Sequence, residues 1–399
     1  HAALPAPGTT VQLTEYAARI LSRPLDRTRP LWELYAIEGL EQGRIALLSK
    51  QHPALVDGVT GIDLASVLFD ASPDQAYDMP PPKAWHPAPE PTDGQLAAEQ
   101  AVRLATSPQE VASSIRRLAR APVQSARRVT QVGRGLARVV RSNLMKPAPR
   151  SILNRAPGPH RRFAIQRVSI DDVRVIKTVF DTTVNDVVLA VTADALGRYL
   201  RQRSVRTERL WLRSLVPVST RDGSDTHLLG NRVVSMFVDL PMFAMDPIER
   251  LQISRDQMSE VRTSHAAVGA NYLIGLADFA PPTLHAMASR LAVTDRLFNF
   301  LVVNVPGPQQ PRYCLGARLL GAFPFTPLGA NHAFAVGVIS IEGWLNFGFT
   351  ADYDALPDVE VLCDHLVAAV GDLVSSAEAA GEKVASAWRK RSCNGWQSS

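Results

Sequence analysis

The stretch Arg44–Leu64, RIALLSKQHPALVDGVTGIDL, constrains this chain more than any other. It opens as a short apolar run (Ile45, Ala46, Leu47, Leu48), passes through a polar loop and re-enters apolar sequence as a helix start. That pattern commits this part of the chain to a strand–loop–helix unit. The loop holds His52, Asp57 and Gly58 in one polar knot between two apolar elements. Acid–base chemistry is often placed in such a knot at the end of a buried strand. The simpler reading of the heptapeptide alone is a turn, with Asp57 capping and Gly58 turning.

The rest of the chain can be read around this unit. At 399 residues there is length for two domains with sizeable cores. Hydrophobic residues at 46% and charged residues at 20% fit a globular protein. No apolar run is long enough to span a bilayer, and no h-region precedes a cleavage site. The chain opens on His1 rather than Met, as a fragment or truncated start would. Cys314, Cys363 and Cys393 lie far apart without metal-ligand spacing, and read as reduced intracellular thiols. No metal is expected.

Residues 12–22 place Leu13, Tyr16, Ala17 and Ile20 on one helical face. Strands are expected at Trp32–Glu38 and Arg44–Lys50 around a Glu41-Gln42-Gly43 turn, and a helix over Gly61–Phe69. Seven prolines between 72 and 94 mark a linker. From Gln95 to Leu144 the pattern is helical, broken at Pro122. Arg116, Arg117, Arg120, Arg127, Arg128, Arg134, Arg138 and Arg141 interleave there with apolar residues, and no acidic residue occurs between Glu110 and Asp171. Such a basic amphipathic stretch suits anionic lipid headgroups, and it equally suits a crossover helix with solvated arginines. A net charge of +5 agrees with an anionic partner. Aromatic interleaving and reader motifs are missing, so no nucleic acid is expected.

Further on, Arg162–Val168 reads as a strand and Ser169–Phe180 as a capped helix. Thr183 opens a long helix to Arg201, in which Asn185 and Asp186 suit N-terminal capping. Leu210–Val218 and Arg232–Leu240 are strands, the second preceded by Gly230-Asn231. Ile248–Ala267 and Thr283–Leu297 read as helices. Leu301–Asn304 is a short strand ahead of a Val305-Pro306-Gly307-Pro308 turn. Ala333–Ile341 and Trp344–Tyr353 form a strand pair. Val359–Ala380 closes as a helix before a polar tail from Lys383.

Five motifs stand in order along this pattern: Pro30-Leu31-Trp32, H-x-x-x-x-D-G at 52–58, Asn185-Asp186, Gly230-Asn231, and Asn304-Val305-Pro306-Gly307. Together they resemble the bacterial wax ester synthase/diacylglycerol acyltransferase family, within the acyl-CoA-dependent acyltransferases that carry H-H-x-x-x-D-G. The resemblance implies an α/β (α+β) chain with a two-domain CoA-dependent acyltransferase-like fold. Each domain would be a mixed sheet flanked by helices, with a tunnel between them. It implies a partial N-terminal domain over 1–71, a linker and basic crossover over 72–150, a C-terminal domain over 151–382, and a tail over 383–399. It implies a family domain that starts before His1, whose missing edge strand would leave an open sheet edge.

The activity implied is transfer of an acyl group from acyl-CoA, as co-substrate and with no other cofactor, to diacylglycerol or a long-chain alcohol. A cytoplasmic protein held peripherally at the inner membrane face or a lipid droplet follows. His52 matches the family's first histidine, Asp57 its aspartate and Gly58 its glycine. The family's base, the second histidine, is replaced by Pro53. Strand alternation turns His52 away from the face that position 53 takes, so His52 is expected to be structural. Asp57 would fix the loop through a basic side chain, with Arg221 a candidate. Asn304, Pro306 and Gly307 would face substrate, Asn304 as an oxyanion donor. Two readings follow: an acyltransferase, or a relative impaired by Pro53 that binds acyl-CoA, lipid or a partner protein. Among the other histidines (His227, His265, His285, His332), His332 is the first to check.

Overall fold

The computed structural model describes residues 1–52, 68–74, 92, 94–95, 147–219, 233–263 and 297–394. Most of the expected helix at 61–69, most of the Pro-rich 72–94 stretch, the basic 115–141 helix, Gly230-Asn231 and residues 283–296 lie outside the described residues.

Strand β1 (Ala2–Ala3) runs parallel to β2 (Trp32–Glu38), which pairs antiparallel with β3 (Ala46–Gln51). Helix α1 (Thr10–Leu21) begins in a capping box: Thr9 Oγ1 accepts from the Gln12 amide, and the Gln12 side chain accepts from Thr9 N–H. Its buried face, Ala17, Ala18 and Ile20, packs on strand β4 (Arg161–Ser169) of the second sheet. The Ser22 hydroxyl accepts the Arg161 amide across that contact (3.0 Å).

The second sheet has six strands in the order β4-β11-β10-β7-β5-β6. These further strands are β5 (Trp211–Ser219), β6 (Val233–Pro241), β7 (Phe300–Pro306), β10 (Phe334–Ile341) and β11 (Trp344–Asp352). The β5–β7 and β7–β10 pairings are parallel and the others antiparallel, so this is a mixed sheet. A small hairpin, β8 (Tyr313–Cys314) with β9 (Ala317–Arg318), stands apart.

Helices α2 (Ile170–Phe180), α3 (Val184–Gln202), α4 (Pro247–Thr263) and α5 (Val361–Asn394) pack with this sheet. Helix α3 is apolar nearly all round and buried from Val187 to Leu200, which makes it the centre of the helical layer. Phe334, Val336 and Val338 of β10 and Leu345, Phe347 and Phe349 of β11 enter the same core.

Buried charge ties the helices together. Arg250 on α4 donates to the carbonyls of Pro241 and Phe243 and pairs with Asp194 on α3 (3.2 Å). Arg198 joins Asp194 (2.8 Å) to Asp372 on α5. At the far end of α3 the Tyr199 hydroxyl donates to Asp358 (2.6 Å), which also accepts from Arg203. Burial opposes ionisation of Asp358, but these hydrogen bonds hold its carboxyl below the usual carboxylate range.

Two expectations need correction. Helix α5 continues to Asn394, past Lys383 where a polar tail was expected. Its end, EKVASAWRKR, is made largely of good helix formers, so polarity alone does not stop it. Strand β7 runs to Pro306 rather than Asn304, because its ladder with β10 continues through Val305↔Ile339 and Pro306↔Ser340.

The buried Phe334 ring lies 6.1 Å from Phe300 and 6.3 Å from Phe349, so truncation would leave a cavity in this core. Phe334→Ala is expected to cost about 3–5 kcal/mol. Urea unfolding followed by circular dichroism checks it; a cost below 1 kcal/mol would place the ring outside the stabilising core.

Candidate functional site

Among the described residues, the structure brings Pro30-Leu31-Trp32 beside His52, the first residue of the H-x-x-x-x-D-G motif. Trp32 pairs with Gln51 across β2–β3, and the His52 amide donates to the Leu31 carbonyl (3.0 Å). The Pro30-Leu31-Trp32 motif therefore flanks the exit of β3 where the H-x-x-x-x-D-G loop begins. Trp32 is exposed, as are Leu34 and Leu47 on the same face. Ile37 and Lys50 turn the other way and are buried. The Leu31 bond extends the ladder one residue beyond β3, so alternation places His52 on Lys50's face. Pro53, Asp57, Gly58 and the candidate partner Arg221 lie outside the described residues.

Sequence reading missed Lys50. Its buried ammonium donates to the carbonyls of Ile20 (3.3 Å) and Arg23 at the end of α1, and pairs with Glu33 (3.4 Å). A cation there satisfies carbonyls that a helix C-terminus leaves open. The same contacts hold the end of β3 just before His52. The available signal was a lysine two residues before His52, on the strand face that alternation turns inward.

Asn185 and Asp186 sit in the first turn of α3. Asp186 closes a capping box: its Oδ2 accepts from Thr183 N–H (2.8 Å), and Thr183 Oγ1 accepts from the Asp186 amide (3.3 Å). Capping is thus the observed role of Asp186, as the sequence suggested. Asp186 Oδ1, Asn185 Nδ2 and Thr182 Oγ1 are buried at this helix end without hydrogen-bond partners among the described residues. Helix α3 also packs on β7, whose end carries the Asn304 motif.

Asn304 is half-buried in β7, and alternation gives it the face of Phe300 and Val302, which line the helical core. Pro306 ends the strand. Gly307 is required for space: a Cβ there would come within 2.5 Å of the Ser340 carbonyl oxygen and 2.9 Å of Ile339 Cγ1. The Gly307 amide donates to Ser340 Oγ (3.3 Å). His332 is a core residue, 2% exposed, stacked on Phe298 at 3.8 Å with Nε2 against the Phe298 carbonyl (3.2 Å). His227, His265 and His285 lie outside the described residues. Among the described residues no cluster of His, Cys, Asp or Glu could hold a metal ion, and no helix is long and apolar enough to cross a membrane.

Lys50→Met would take this donor from the Arg23 carbonyl, while Glu33 keeps the Tyr35 hydroxyl and the Ile20 carbonyl keeps the Arg23 amide. It is expected to destabilise the fold by about 1–3 kcal/mol. Denaturant titration measures this, and a neutral result would reduce Lys50 to a solvated charge.

Comparison with known proteins places this architecture. The model of the wax ester synthase/diacylglycerol acyltransferase catalytic domain matches residues 1–188, and that of the WS/DGAT C-terminal domain matches residues 229–373. The probable diacylglycerol O-acyltransferase tgs2 of Mycobacterium tuberculosis H37Rv is 33% identical over 382 residues, spanning 94% of this chain and 80% of the relative. The probable diacylglycerol O-acyltransferase tgs1 of the same strain is 31% identical over 375 residues, spanning 94% and 78%. Among solved structures, the wax ester synthase/diacylglycerol acyltransferase from Marinobacter aquaeolei VT8 superposes with a TM-score of 0.65 at 26% identity, covering 94% of this chain and 79% of the other. The two-domain fold, with its mixed sheets flanked by helices, agrees with that match. The chain belongs to the wax ester synthase/diacylglycerol acyltransferase family.

Proposed function

We propose that this chain is an acyl-CoA-dependent O-acyltransferase that makes triacylglycerol from diacylglycerol, and wax esters from long-chain alcohols. The observation that carries this reading is similarity to diacylglycerol O-acyltransferases along nearly the whole chain, 33% over 382 residues. Both family domains and the motif order support it. The reaction joins the acceptor's hydroxyl oxygen to the thioester carbonyl carbon. The carbon–sulfur bond breaks, and the hydroxyl proton ends on the released CoA thiol.

A thioester needs little activation, so the enzyme's tasks are alignment, exclusion of water and charge stabilisation at the carbonyl oxygen. An imidazole base usually adds about 10²–10⁴ in rate. Pro53 has no titratable group, and His52 lies on the Lys50 face. The proposed enzyme therefore works by alignment and oxyanion stabilisation, with Asp57 and Gly58 shaping the loop. Asn304, Pro306 and Gly307 form the proposed substrate-facing end of β7, and the substrates meet in a tunnel between the domains.

Thiol release from a long-chain acyl-CoA, with and without diacylglycerol, tests this. Pro53→His is expected to raise the acceptor-dependent rate by about 10²–10⁴, and His52→Ala to lower stability more than turnover. An active parent silenced by His52→Ala without unfolding would instead make His52 the base. No ester from the parent or from Pro53→His would sink the acyltransferase reading.

Diacylglycerol resides in a lipid phase, so the enzyme must meet that surface. The arginines from Arg116 to Arg141, with no intervening acidic residue, support peripheral attachment to anionic lipid at about 1 kcal/mol per side chain. Co-sedimentation with anionic vesicles is expected at low salt and its loss at high salt. A protein that stays wholly in the supernatant at low salt has no such attachment.

A further inference from the structure

Strands β7 and β10 are parallel neighbours, so the chain between them, residues 307–331, must cross back over the sheet. A helix commonly makes such a crossing. Here it is an irregular strap that carries the β8–β9 hairpin and lies on the sheet face opposite the helical core. Its hairpin side is held by the Arg318–Glu342 pair and by the Glu342 amide, which donates to the Pro308 carbonyl (3.2 Å), and residues 324–326 make three further contacts. Pro324 sits against Gly337 and Gly348, which are direct partners across β10–β11. The Phe325 ring lies 5.3 Å from Phe163 of β4. The Thr326 amide donates to Thr350 Oγ1 (3.2 Å).

The glycine pair makes the seat. A Cβ on Gly348 would come within 2.0 Å of the Pro324 carbonyl oxygen, and one on Gly337 within 2.7 Å of Pro324 Cβ and of Thr326 Oγ1. At Gly348 the clash is with backbone, so no side-chain rotation relieves it and the strap must lift. Neither glycine is held here by an unusual backbone angle; the requirement is space.

The strap's hairpin reaches the first sheet's part of the chain. The Asp70 amide donates to the Tyr313 carbonyl (2.7 Å), and the Tyr313 amide to the Asp70 carbonyl (2.9 Å). Asp70 belongs to the stretch that follows the H-x-x-x-x-D-G loop in sequence. The strap is thus tied to the six-stranded sheet at Pro324–Thr326 and through Arg318 and Pro308 at Glu342, and at Tyr313 to the chain that leaves the motif.

We propose that Gly348, with its partner Gly337, is a positioning residue for the reaction. The pair seats Pro324 and so sets the register in which Tyr313 meets Asp70 and steadies the chain behind the motif loop. The functional half of this rests on the acyltransferase reading above.

Hydrogen exchange and kinetics on the full chain test it, with Gly348→Ala and, as the variant that adds no atoms, Pro324→Ala. Gly348→Ala is expected to speed exchange at the Asp70 and Tyr313 amides while those of β5, β6 and β7 keep their protection. The kcat of acyl transfer is expected to fall roughly tenfold to a hundredfold, with KM for acyl-CoA unchanged, as misplacement far from the chemistry does. Pro324→Ala keeps the Cβ and carbonyl that meet the glycines and loses only the ring that stiffens the strap there, so it should act in the same directions, less strongly. The proposal fails if neither variant alters exchange at Asp70 and Tyr313, or if protection is lost evenly throughout the sheet. Faster exchange at the bridge with unchanged kcat also refutes the positioning role. A parent without acyl transfer would overturn the acyltransferase reading, and with it the kinetic half of the proposal. The exchange comparison would still decide the glycine seat.

Discussion

The larger sheet has two unlike faces, and the rest of the structure follows from that difference. Along β10 and β11, Phe334, Val336, Val338, Leu345, Phe347 and Phe349 point one way into the helical core. The intervening positions Ala335, Gly337, Asn346, Gly348 and Thr350 are small or polar, and Ile339 and Ile341 continue that face toward the β10–β11 turn. Strand alternation alone separates the two sets. Large apolar side chains demand a helical layer, whose burial supplies most of the driving force. The small face lets a coil approach at backbone distance, and the 307–331 strap uses that space. A phenylalanine at 348 would preserve strand propensity and remove the seat.

The helical layer has its own constraint. Helix α3 is buried on nearly every side, so its polar groups need partners inside the protein. Asp194 and Arg198 find them in Arg250 and Asp372, and the Arg201 side chain donates to the Met242 carbonyl (2.8 Å). The buried Arg250–Asp194 pair contributes registry as much as stability, since removing Asp194 would strand the Arg250 guanidinium. The N-terminal turn differs: Asp186 satisfies one backbone donor, while its other oxygen, Asn185 Nδ2 and Thr182 Oγ1 have no partner among the described residues.

The described motifs sit at element ends rather than interiors. Pro30-Leu31-Trp32 opens β2, His52 follows β3, Asn185-Asp186 opens α3, and Asn304 to Gly307 closes β7. Such places combine a rigid scaffold with exposed backbone groups. The α1 face, the strands at 32–38 and 333–353, and the caps at Ser169 and Thr183 were legible because each is written in local periodicity or capping chemistry. The end of α5 was not, because helix propensity and polarity point in opposite directions there.

By itself the sequence determined the local elements, the order of the motifs and the family, and it named Pro53 where a base is expected. These depend on residue type and near neighbours along the chain. Only the tertiary structure decided that Leu31 pairs with the His52 amide, that Lys50 closes the end of α1, and that His332 is a core residue stacked on Phe298. It alone placed Gly337 beside Gly348 and brought Tyr313 to Asp70. Those contacts join residues distant in sequence, and their energies depend on the space and partners that packing supplies, which no local pattern encodes.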